Sequence, residues 1–67
     1  MTVGERVKKA RKARGMTQRQ LADACGVFVN TISYWETGRF EPTWYTMVRV
    51  AEVLNVSLDW FAGRMKR

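Results

Sequence analysis

Residues Gln18 to Thr37 read QRQLADACGVFVNTISYWET, and the fold follows from how this stretch must bend. Leu21 and Ala22 face inward, and Ala22 is small enough to let a second helix approach closely. Gly26 falls where a sharp bend needs a positive φ angle, which glycine adopts at low cost. Val27 plugs the inside of the bend. Ile32 and Trp35 share one face of the segment that follows and anchor it. Counting from Gln18, Ala22 is fifth, Gly26 ninth, Ile32 fifteenth and Trp35 eighteenth. With helix-start signals on both sides, these positions predict two helices held at roughly 90–120° by a tight turn.

Outward from this stretch the chain repeats one grammar of starts and stops. A Ser or Thr oxygen caps a helix start by accepting a free backbone N–H, and Gly or Asn ends a helix in a left-handed conformation. Thr2 with Glu5, and Thr17 with Gln20, form capping-box patterns closed by Gly15 and Gly26. A third segment runs from about Phe28 to Gly38. Thr43, after Pro42, opens a fourth that ends at Asn55, and Ser57 opens a fifth that ends at Gly63.

The apolar spacing agrees with these caps. Val3, Val7 and Ala10 share a face of the first helix, and Leu21, Ala22, Ala24 and Cys25 form a small-residue face on the second. Trp44, Met47, Val50, Ala51 and Leu54 follow the helical period on the fourth, as Leu58 and Phe61 do on the fifth. The three tryptophans and Met47 read as core. No stretch alternates as a half-buried strand does. The expectation is an all-α, compact five-helix bundle forming one domain over residues 1–67, with 64–67 as a frayed basic tail.

Composition narrows the function. Sixty-seven residues bury a small core and leave little room for a deep substrate cavity. The chain has no histidine and one cysteine, Cys25, which excludes an internal disulfide and leaves no ordinary zinc ligand set. The usual general base is missing too, and no nucleophile, base and oxyanion constellation is visible, so the chain does not read as an enzyme. Cys25 reads as a buried structural thiol. No apolar run reaches the roughly 20 residues of a membrane span, and no signal-peptide core is present, so a cytoplasmic compartment is expected.

The net charge of +6 points to a polyanionic partner. Arg6, Lys8, Lys9, Arg11, Lys12 and Arg14 crowd residues 5–14 against Glu5 alone, and Arg64, Lys66 and Arg67 end the chain. Residues 15–63 carry three bases against five acids.

From about Val3 to Gly63 the chain resembles the XRE-type helix-turn-helix domains of lambdoid phage repressors, Cro proteins and related bacterial regulators. The resemblance is carried by R-x-x-R-G-M-T-Q-x-x-L-A at 11–22, G-V at 26–27, T-I-S-x-W-E-x-G-R at 31–39 and P-T at 42–43. A-x-x-L-N-V-S at 51–57 and L-D-W-F at 58–61 complete it. It implies a sequence-specific regulator of transcription, acting as a homodimeric repressor on a palindromic operator in double-stranded DNA.

The resemblance also implies residue roles. Gln18, at the start of the second helix, binds a DNA phosphate, aided by the helix's free N–H groups. The third helix lies in the major groove. Its outward face follows from three- and four-residue spacings: Val29, Asn30, Ser33, Tyr34 and Thr37 oppose Ile32 and Trp35. Asn30 suits adenine N6 and N7, Ser33 donates or accepts, and Val29 packs on a thymine methyl. Tyr34 and Thr37 lie nearer phosphates, and Arg39 beyond the helix is a further phosphate ligand. Arg11 and Glu36 match a salt bridge that orients the arginine near the DNA backbone.

This chain departs from the family pattern at three points. Phe28 stands where Ser or Thr usually caps the helix and touches phosphate, Val29 where Arg or Gln is frequent, and Tyr34 where a basic residue is. The third helix therefore lacks the common guanine contact, and A·T-rich half-sites are expected. Phe28, Val29 and Tyr34 also keep open an alternative: an apolar patch for a protein partner, as in an antitoxin that binds a toxin and autoregulates its operon.

Relatives of this kind dimerise through the fifth helix and the loop before it, which makes Asn55, Leu58 and Phe61 the dimer candidates. Core packing serves equally for Leu58. No cofactor, metal or small-molecule ligand is expected. The chain ends four residues after Gly63, so these residues hold no ligand-sensing domain.

Overall fold

In the computed structural model, residues 1–61 and 63 are described. Five helices form among them: α1 (Val3–Ala13), α2 (Gln18–Cys25), α3 (Val29–Glu36), α4 (Trp44–Leu54) and α5 (Leu58–Phe61). The punctuation explains their bounds. Thr2 Oγ1 accepts from Glu5 N while Glu5 Oε1 accepts from Thr2 N, and Thr17 and Gln20 repeat the exchange for α2. Thr43 Oγ1 accepts from Thr46 N, and Ser57 Oγ from Trp60 N. Asn55 closes α4 in the left-handed region at φ 57°. The expected basic tail lies outside the described residues.

The core gathers one face from every helix. Val7, Leu21, Ile32, Val50, Leu54 and Phe61 are fully buried, and Ala10, Ala22, Cys25, Trp35 and Ala51 close the gaps. α3 packs on both α2 and α1, and α4 packs on α2 and α5. α1 crosses α3 so closely that a Cβ at Gly4 would overlap the Trp35 carbonyl oxygen, so the close approach of these two helices depends on this glycine.

Two core expectations fail. Trp44 is 58% exposed. It is the first residue of α4, and a helical stripe is buried only where a neighbouring element lies beside it. Ala24 is also exposed, because Leu21, Ala22 and Cys25 already span the packed face of α2. Trp35 is buried as expected, while Trp60 and Met47 are partly buried against the core.

Candidate nucleic-acid interface

The bend between α2 and α3 is built as the sequence requires. Gly26 adopts φ 72°, and Val27 N donates to the Ala22 carbonyl at 3.0 Å, reversing the chain within a single turn. Val27 packs partly against the core. Phe28 precedes α3 with extended backbone and makes no side-chain cap bond, and the residue is 84% exposed. Its side chain offers no donor, so any phosphate contact at this position falls to the backbone N–H.

α3 turns Ile32 and Trp35 inward. Asn30 is exposed on the opposite face, with Ser33 and Tyr34 half-exposed beside it and Thr37 exposed at the end. Val29 is half-buried and packs on the core. The Tyr34 ring lies against Phe40 and beneath the Arg39 guanidinium. Phe28, Val29 and Tyr34 therefore do not make one open apolar face. Thr37 Oγ1 donates to the Ser33 carbonyl at 2.9 Å, so its hydroxyl hydrogen is spent on the helix end and a phosphate must displace that bond.

Beneath this face lies a buried polar clamp. Arg11 Nε donates to Glu36 Oε2 at 2.6 Å and Nη2 to Glu36 Oε1 at 3.1 Å, while Nη1 donates to the Met16 carbonyl at 2.8 Å. The two side chains are only 9% and 3% exposed. The salt bridge expected from the resemblance is present, and it lies deep. Each donating nitrogen of Arg11 has an internal partner, so Arg11 first braces the fold, and only the second N–H of each Nη is left for a phosphate.

Gln18 joins the clamp, its Nε2 donating to Glu36 Oε1 at 3.0 Å. This bond went unforeseen, because it spans eighteen residues and no local spacing announces it. It fixes the amide at the N-terminus of α2 and leaves its second N–H for another acceptor.

The other expected residues separate by burial. Asn55 is exposed. Leu58 is partly buried and packs on the core. Phe61 is wholly buried within the protomer, which removes it from the dimer candidates: its ring fills the core and presents no surface to a second copy. On α1, Lys8, Lys9 and Lys12, with Arg14 at its C-cap, are exposed, while Arg6 lies over the Trp60 ring at 5.3 Å. Burial pushes the Cys25 thiol above its ordinary range, against a smaller lowering effect from Arg49. Among the described residues no group of three metal-ligating side chains forms and no helix is long and apolar enough to cross a membrane.

Comparisons with known proteins agree with this geometry. The chain is 36% identical over 64 residues to the cryptic phage CTXphi transcriptional repressor RstR of Vibrio cholerae, covering 96% of this chain and 57% of that protein. It is 38% identical over 60 residues to the regulator DicA of Escherichia coli, covering 90% and 44%. The chain thus spans about half the length of these curated relatives. The P22 c2 repressor, solved with a synthetic operator, superposes with a TM-score of 0.90 at 28% identity, covering 97% of this chain and 98% of that one. SinR, a master regulator of biofilm formation solved with DNA, gives 0.84 at 30% identity, covering 90% and 97%. A helix-turn-helix family model matches residues 7–61, and this chain, with its bend at Gly26 between α2 and α3, belongs to that family.

Proposed function

We propose that this chain is the DNA-reading domain of a sequence-specific transcriptional regulator, a repressor that inserts α3 into the major groove of a palindromic operator. The observation that carries this reading is the exposed edge of α3, with Asn30 and Ser33 outward and Ile32 and Trp35 anchored inward. Asn30 pairs with adenine, Ser33 bonds a neighbouring base edge, and Val29 packs on a thymine methyl. Gln18, steadied by Glu36, and Arg39 hold flanking phosphates, with Thr37 beside them. The exposed lysines of α1 add to the general attraction for a polyanion.

The size of the domain supports binding as a pair. Its longest dimension is 31 Å. Successive major grooves on one face of a duplex lie about 34–36 Å apart, so two copies are needed to read both half-sites. Asn55 and Leu58 are the residues proposed for their contact. The protein-partner alternative loses support, since Val29 is half-buried and Arg39 and Phe40 cover part of Tyr34.

A salt titration of binding to a labelled duplex tests the reading. Phosphate contacts release counterions, so two copies, each holding a phosphate through Arg39, should lose at least about tenfold in affinity between 50 and 200 mM salt, and more where the lysines of α1 reach the backbone. Binding that is absent, or indifferent to salt, would contradict it.

A further inference from the structure

α3 carries no cation and ends on the carboxylate of Glu36, so it has no positive charge of its own to offer a phosphate. Arg39 supplies one from outside the helix. Its backbone N–H donates to the Tyr34 carbonyl at 2.9 Å, which folds the chain back after α3. Its guanidinium carbon then sits 5.1 Å from the centre of the Tyr34 ring. Phe40, the next residue, packs its ring against the same tyrosine, with centroids 5.2 Å apart. Tyr34 lies one helical turn beyond Asn30 on the outward face, so this cluster brings a cation alongside the base-reading residues.

The guanidinium is held over the ring by its charge rather than by an N–H to oxygen bond, and its N–H edge matches the two oxygens of a phosphate. Arg39 is exposed, and no hydrogen bond or ion pair among the described residues occupies that edge. A long side chain already held in place has less freedom to lose on binding.

We propose that Tyr34 is a positioning residue whose ring holds Arg39 against the phosphate backbone beside the groove that α3 enters. It touches neither base nor phosphate itself. The proposal rests on the DNA-reading role given above.

A double-mutant cycle tests it, using a labelled duplex of about 30 base pairs that carries the sequence the wild-type domain selects from a random pool. Arg39→Gln should lower the slope of log affinity against log salt by about one for each bound copy. Tyr34→Leu keeps bulk but removes the negative face of the ring, and should weaken binding about two- to fivefold with a smaller slope. Added to Arg39→Gln it should cost nothing further, and Tyr34→Phe should match the wild type. In the free domain, the Arg39 side-chain proton resonances should be shifted upfield by the ring, a shift kept by Tyr34→Phe and lost in Tyr34→Leu.

Fully additive losses would overturn the proposal while leaving DNA reading intact. A Tyr34→Phe variant as weak as Tyr34→Leu would do the same, since the hydroxyl and not the ring would then be at work. A wild-type domain that selects no duplex would overturn both.

Discussion

Glu36 accepts from Gln18 on the same carboxylate oxygen that receives Arg11 Nη2, so one buried acid ties α1, the N-terminus of α2 and the end of α3 together. The residue that steadies the proposed phosphate-binding amide also sets the angle between the two helices of the motif. Stability and recognition can therefore be separated by experiment.

Removing one partner leaves the other charge buried and unpaired. Glu36→Ala should cost about 3–5 kcal/mol in urea denaturation. The paired replacement Arg11→Met with Glu36→Leu should be close to neutral in the same measurement, because the desolvation penalty of both charges disappears. It should still bind DNA more weakly than wild type, since Gln18 is no longer held.

Gly4→Ala tests the crossing of α1 over α3. The added methyl meets backbone at Trp35, not the yielding end of a side chain. The two helices must separate, and the midpoint of denaturation should fall by an amount equivalent to about 1–3 kcal/mol.

Phe28→Ser restores a cap that α3 lacks. The backbone at this position is already extended, at φ −74° and ψ 150°, as a capping residue needs. The variant should gain about 1 kcal/mol. For a domain of this size that raises Tm by about 4–8 °C in a thermal melt.

Cys25 gives a pH dependence with a definite sign. Burial raises its pKa in the folded protein above the ordinary 9.0, so between these values the unfolded chain loses the thiol proton and the native chain keeps it. Stability from this group is fully present below the ordinary value and is lost as pH rises through the raised one. Denaturation midpoints measured from pH 8 to 11 should fall less steeply in Cys25→Ala than in wild type.

Local chemistry was the most legible part of the sequence. Capping acts over three residues, so Thr2 with Glu5 and Thr17 with Gln20 announced their helices, and Gly26 announced the bend. The outward face of α3 followed from helical geometry once Ile32 and Trp35 were recognised as anchors. Depth was not legible, because it depends on what lies alongside. Trp44 continued the α4 stripe yet stays 58% exposed at the helix start. The pairing of Arg11 with Glu36 was legible, but not that three of its N–H donors are spent inside the fold. Phe61 looked available on a short terminal helix and instead fills the core. The Tyr34, Arg39 and Phe40 cluster forms only when the chain folds back after α3, beyond the reach of helical periodicity.

The most direct measurement is selection of duplexes from a random pool by the wild-type domain and by Asn30→Ala in parallel. Wild type should yield an inverted repeat of A·T-rich half-sites with centres one helical turn apart. The variant should keep that spacing but lose its preference at one base pair in each half. Recovery of no consensus by wild type, or of an unchanged consensus by the variant, would contradict base reading by the exposed face of α3.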